Sequence, residues 1–216
     1  MTASAQVTDR RTMLMASTGL FLTGFLAMPK KAPSVPADVI PPGQPGKPGD
    51  FAFLEGNWKI QNRRLKQGTV NEWDEFEGEA TCWSILDGAG SIEELRIPAR
   101  DFYGMGLRLL DKNQETWNDF WVNAKSGTLN GPPQTGRFQN GAGTFVARET
   151  EHGARIDVKG VWDQVTPESC RWTQSVSRDN GMTWQDNWVM TWQRVGGELE
   201  IRSSSREAVP TAQRTM

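Results

Sequence analysis

The stretch TFVARETEHGARIDVKGVWDQV, residues 144–165, decides the fold. On both sides of His152-Gly153 the side chains alternate with a period of two. That period belongs to strands, whose successive side chains point to opposite faces. A short turn containing Gly lets the chain reverse, so Thr144–Thr150 and Arg155–Val165 read as a hairpin.

The pattern extends in both directions. Trp58–Lys66 closes at Gln67-Gly68, Glu72–Ser84 at Asp87-Gly88, Ser91–Ile97 at Pro98, and Phe102–Leu110 at Asp111-Lys112-Asn113. Thr116–Ala124 ends at Ser126-Gly127, and Ser169–Ser177 and Thr183–Arg194 flank Arg178-Asp179-Asn180-Gly181. No segment carries a helical stripe, apart from a short turn near Phe51–Glu55. About nine or ten strands joined hairpin to hairpin predict an all-β fold. The simplest form is an antiparallel up-and-down barrel of roughly eight to ten strands, spanning residues 50–195.

The flanks read differently. Arg10-Arg11 precedes an apolar run from Met13 to Met28 that is too short to span a membrane. A twin-arginine pair before such a run marks bacterial export of folded proteins. Residues 1–37 are therefore expected to be a leader, with Val35-Pro36-Ala37 supplying small residues for cleavage. The expected location is periplasmic or secreted, with no stable membrane anchor once the leader is gone. Residues 38–49, rich in Pro and Gly, read as a linker, and residues 196–216 as a disordered tail.

Composition excludes several functions. The 216 residues hold 24 Lys+Arg against 26 Asp+Glu, for a net charge of −2. The leader carries four basic residues and one acidic one, so its loss takes −2 to −5. An acidic chain lacks the basic footprint of a nucleic-acid binder. One His and two Cys cannot supply a Cys/His zinc site, and no phosphate-binding or dinucleotide Gly pattern occurs. No metal and no cofactor is expected. His152 belongs to a turn. Cys82 and Cys170 lie on separate strands, either as buried free thiols or as a disulfide.

The ten Trp residues fall on strand faces. Trp117 and Trp121 share a face with Asp119, and Trp184, Trp188 and Trp192 share one with Asp186, Met190 and Arg194. Such faces form either plain core or a cavity lined with rings and a few polar groups. The expected cavity residues are Trp117, Asp119, Trp121, Trp184, Asp186 and Trp188. Arg96 and Arg108 are available to hold a ligand's anionic group or to pair with the carboxylates. A carboxylate in an apolar cavity has a raised pKa and can act as general acid or base, so Asp119, Asp186 and Glu94 are the catalytic candidates.

Phe51-Ala52-Phe53-Leu54-Glu55-Gly56-Asn57-Trp58 ends in Gly-x-Trp. With Gly104 and Gly106 in a Gly-rich strand and Asp179-Asn180-Gly181-Met182-Thr183-Trp184 near the end, it resembles a bacterial lipocalin-like group, domain-of-unknown-function family 1579, within the calycin barrels. The resemblance covers residues 50–195. It implies a calycin-like barrel with Gly56, Trp58 and Arg194 as a structural signature, the arginine lying on the tryptophan. It assigns no chemistry. The leading expectation is an exported barrel binding a small hydrophobic or aromatic molecule. The alternatives are a cofactor-independent lyase, isomerase or hydratase using cavity carboxylates, and a structural barrel without a ligand.

Overall fold

The alternation resolves into ten strands in the computed structural model, which describes residues 40–129 and 131–196. The expected leader and nearly all of the expected tail lie outside the described residues. The strands are β1 (Gly56–Leu65), β2 (Trp73–Ile85), β3 (Gly90–Ile97), β4 (Phe102–Asp111) and β5 (Thr116–Asn123). They continue with β6 (Gln134–Gln139), β7 (Ala142–Glu151), β8 (Ala154–Asp163), β9 (Ser169–Ser177) and β10 (Gln185–Arg194). Each pairs antiparallel with its sequence neighbours, and β1 pairs with β10 to close the sheet. The chain is thus an all-β, calycin-like up-and-down barrel. Strand β6 was absent from the sequence expectation. Its residues Gln-Thr-Gly-Arg-Phe-Gln are mostly polar and carry no clear alternation.

Directly opposed residues share a face, so the register sorts inside from outside. Trp58 pairs with Arg194, Ile60 with Trp192 and Asn62 with Met190 across β1 and β10, and Trp162 pairs with Trp172 across β8 and β9. These positions point inward. The β7–β8 hairpin turns on His152 (φ +50°) and Gly153 (φ +80°). Two successive left-handed residues match the right-handed twist of the flanking strands.

One end of the barrel is sealed. A 3-10 turn, Ala52–Leu54, packs Phe51 and Leu54 beneath Trp58, Trp117 and Phe145. Phe51 meets Trp117 edge-on at 5.0 Å and Phe138 at 5.0 Å. The Pro/Gly segment before it lies against the barrel. Gln44 N–H donates to Phe138 O at 2.9 Å, Gly46 N–H to Glu115 O at 2.8 Å and Gly49 N–H to Gly88 O at 2.9 Å. An extended Pro-rich backbone leaves its polar groups free for such bonds.

Arg194 locks this end. Its guanidinium lies 4.2 Å over the Trp58 ring. Its Nη2 donates to Phe53 O at 2.8 Å, its Nε to Pro167 O at 2.6 Å, and its Nη1 to Glu55 O. Trp58 Nε1 donates to Leu54 O at 2.7 Å. Gly56 has φ +114°, and a Cβ there would stand 2.8 Å from Arg194 Nη1. Both the backbone and the arginine therefore require glycine.

Arg194→Ala removes three carbonyl contacts and the stacked cation, at a cost of about 2 kcal/mol. For a domain of this size the melting temperature should fall by roughly 4–8 °C. Thermal denaturation by circular dichroism checks this, and an unchanged midpoint would refute the locking role.

Candidate functional site

Above the sealed end the interior opens into a cavity of about 200 Å³. Its walls are Trp121 from β5, Trp162 from β8, Trp172 from β9, and Trp188, Met190 and Trp192 from β10, with polar groups between them. The rings meet edge to face. Trp172 and Trp188 lie 5.8 Å apart at 83°, and Trp162 and Trp192 5.3 Å apart at 64°. Trp188 is pinned by its Nε1, which donates to buried Asn62 at 3.0 Å.

A charged triad sits at the inner end. The register places Arg108 opposite Asp119 across β4 and β5, and Glu93 opposite Gly106 across β3 and β4. Arg108 Nη2 donates to Glu93 Oε2 at 2.5 Å, and both side chains are buried. Arg108 Nε lies 3.4 Å from Asp119 Oδ2. The guanidinium rests 5.2 Å over Phe51 and 5.3 Å over Trp162. Two glycines make room. A Cβ on Gly106 would press on Arg108 and Glu93, and one on Gly104 would stand 2.1 Å from the Trp121 ring.

Burial alone would lower the Arg108 pKa, but Asp119 and Glu93 more than reverse it, and the guanidinium stays charged. Asp119 is pushed up to about 6 by burial, against the pull of Arg108 and with the help of Glu93. Of the triad, Asp119 is the carboxylate partly open to the cavity, with 17% of its side chain exposed against 4% for Glu93. Glu149, near the mouth, is also raised, by burial and then by Glu151. The arrangement can hold a small ring-bearing or apolar molecule against indoles and present it to a carboxyl group that titrates near neutrality.

No family model matches the chain, and no curated protein matches it. Among solved structures it is similar to a redesigned β-barrel, at 10% identity and a TM-score of 0.40, over 70% of this chain and 99% of the other. It is similar to a DUF3598-family protein of unknown function from Nostoc punctiforme, at 12% identity and TM-score 0.39, over 67% of this chain and 48% of the other. An S-type phycobiliprotein lyase from Guillardia theta matches at 11% identity and TM-score 0.39, over 68% and 92%.

Of the residues expected in a cavity, the barrel brings Asp119, Trp121, Trp188 and Arg108 together. Trp117 points inward but is fully buried in the sealed end, its Nε1 donating to Asp50 at 3.0 Å. Trp184 and Asp186 are not in the cavity. The β9–β10 register slips between Asp186 and Trp188, so Asp186 opposes Ser175 and Trp188 opposes Gln174. This bulge turns the earlier residues to the other face. Asp186 accepts from Ser175 Oγ at 2.6 Å, and Trp184 lies under Lys159 Nζ at 4.1 Å. Arg96 and Glu94 face outward too. Arg96 donates to Glu94 and Glu79, each at 2.9 Å, and to Thr81 at 3.0 Å. Their inward neighbour is Glu93, which with Trp162, Trp172 and Trp192 lines the cavity although none of the four was among the expected site residues. Trp192 and Met190 were legible as sharing the face of Trp188. Glu93 shares its face with Leu95 and Ile97, and Trp172 shares its face with Cys170, so both were legible in the same way.

Cys82 and Cys170 are buried free thiols. Burial, followed by the field of Glu93, pushes the Cys170 thiol up to about 12 and raises Cys82 as well, so neither is a nucleophile near neutrality.

The raised Asp119 pKa has a stability consequence. Between about pH 4 and pH 6 the folded chain holds a proton that the unfolded chain releases, so stability falls as pH rises through that window. Asp119→Asn should flatten this segment of the stability–pH curve. Urea unfolding of both proteins from pH 4 to 7 measures it, and parallel curves would show that Asp119 titrates normally.

Proposed function

We propose that this chain is a small-molecule-binding barrel whose ligand sits among the five cavity tryptophans. The supporting observation is the cavity itself. A purely structural barrel is expected to fill its interior, because packed interiors leave few voids larger than water. Here about 200 Å³ stays open between large rigid rings. An apolar cavity of about 150 Å³ accepts benzene, so this one suits a molecule of one or two rings or of comparable bulk. The fold and the Gly56, Trp58 and Arg194 arrangement are those of a calycin-like barrel.

The test is native mass spectrometry with an absorption spectrum on protein purified from its own host. The expected result is an extra mass of small-molecule size that leaves on denaturation. Trp121→Ala and Trp188→Ala should each lower its occupancy at least fivefold while the barrel still melts cooperatively. Occupancy equal to the parent protein in both variants would place the ligand elsewhere.

A second reading has a specific observation behind it. Asp119 titrates near 6 and faces the cavity, which suits a cofactor-independent lyase, isomerase or hydratase using it as acid or base. The mass recovered above supplies the substrate to assay, and turnover that survives Asp119→Asn would remove this reading. Asp186 and Glu94, on the outer face, have no part in it.

We place the protein in the periplasm or outside the cell, by way of Arg10-Arg11 and the apolar run that follows. Twin-arginine export carries folded proteins. A barrel with two free buried thiols and no disulfide among the described residues needs no oxidative folding outside. Changing Arg10 and Arg11 together to Lys should leave the chain uncleaved in the cytoplasm, as read by fractionation and immunoblot. Normal export of that variant would exclude the route.

A further inference from the structure

Three carboxylates, Glu93, Asp119 and Glu149, line the cavity against one guanidinium, Arg108. That guanidinium is already engaged, with Glu93 at 2.5 Å and Asp119 at 3.4 Å. The wall therefore carries an excess of negative charge whenever Asp119 is ionised. Its remaining surface is mainly indole, whose face is the negative pole of the ring quadrupole.

Trp121 on β5 and Trp188 on β10 stand on opposite walls, five places apart around the ten-strand circuit. Phe102 stacks on Trp121 at 6.2 Å and 12°, and Arg64 covers Trp188 at 4.5 Å. Arg64 stands opposite Trp188 in the register of β1 and β10, on the same side of the sheet, and neither it nor Phe102 lines the cavity. Two cations stand beside this wall, Arg64 over Trp188 and Arg100, each close enough to feel the other's charge. Arg100 is bonded to Asp74 at 2.6 Å and lies over Phe76. Arg108 Nε and Nη1 and the indole N–H groups of Trp162 and Trp192 are buried without a hydrogen-bond partner, and the cavity surface beside them is ring and carboxylate.

From this geometry we infer that the ligand is a small organic cation, a quaternary or protonated amine, held among the cavity indoles with Asp119 as its counter-ion. The inference rests on the binding reading above and assigns the ligand's chemical class. Aromatic walls with a nearby carboxylate are the general solution for cations that carry their charge on bulky apolar groups, which water solvates weakly. The volume suits a trimethylammonium group with a single ring or short chain.

The test compares three probes of matched shape on the full chain, by isothermal titration calorimetry and Trp fluorescence. They are phenyltrimethylammonium, its neutral isostere tert-butylbenzene, and benzoate as the anion. The cation should bind at least tenfold more tightly than either of the others. It carries no titratable proton, so any pH dependence belongs to the protein. The groups beside Asp119 are Arg108, Glu93 and Gln134, and Glu149, which lines the same cavity, is also raised above its usual range. Affinity should rise from pH 5 to pH 7 as Asp119 loses its proton. In Asp119→Asn most of that rise should vanish, cation affinity should fall about tenfold at pH 7, and tert-butylbenzene should bind unchanged. Glu149→Gln, at the exposed mouth, should cost the cation two- to threefold without disturbing the fold, which keeps the test decisive if Asp119→Asn unfolds. Equal or tighter binding of tert-butylbenzene or benzoate overturns the cation assignment and leaves the cavity reading standing. No binding of any probe at millimolar concentration overturns both.

Discussion

Everything in this molecule depends on β1 closing onto β10. Closure gives the backbone of both terminal strands a partner and leaves no open sheet edge. It also creates an enclosed volume that side chains must fill or leave open. The two ends resolve that choice differently. At the sealed end Phe51, Trp58, Trp117 and Phe145 interlock, and Arg194 ties the entering chain to the last strand. At the other end the rings stand along the wall and do not meet across it. The sealed end supplies the stability that lets the other end stay open.

The Glu93, Arg108 and Asp119 triad makes sense only against that asymmetry. Charges taken out of water cost several kcal/mol each, and a well-packed apolar cluster of the same volume usually does as well or better. A barrel built for stability alone would have no use for three buried charges. Here the cost is reduced by geometry. Gly106 lets Glu93 and Arg108 meet directly, and Phe51 and Trp162 lie against the guanidinium. Departures of this kind from the rules of core packing are expected at functional or strained positions.

The fold was legible because alternation and turn residues agree along almost the whole domain. Strand β6 escaped because its six residues include only Phe138 as a large apolar group, and it is held by its neighbours. The site was legible in part. Asp119, Trp121 and Arg108 lie on regular strands, where period two carries from one residue to the next. Trp184 and Asp186 were misplaced because a one-residue bulge reverses the phase, and no residue between them and Trp188 announces it. Glu93 and Glu94 are adjacent, so one had to face inward, and the apolar Leu95 and Ile97 on Glu93's face of β3 mark which one, a signal the choice of Glu94 did not follow. Phase errors of this kind are intrinsic to strands, since a slip of one position exchanges the two faces entirely.

The same proton links the fold to the site. Glu93 is fully committed to Arg108, so Asp119 is the triad member whose charge can change without breaking the pair. Its protonation relieves the excess negative charge in the wall and stabilises the barrel, and its ionisation prepares the cavity for a cation. By linkage the converse holds: a bound cation lowers the Asp119 pKa by the same free energy that the ionised carboxylate adds to binding. The barrel is therefore poised at a compromise. It carries the carboxylate that destabilises it as pH rises, and a ligand of the complementary charge restores what that ionisation removes.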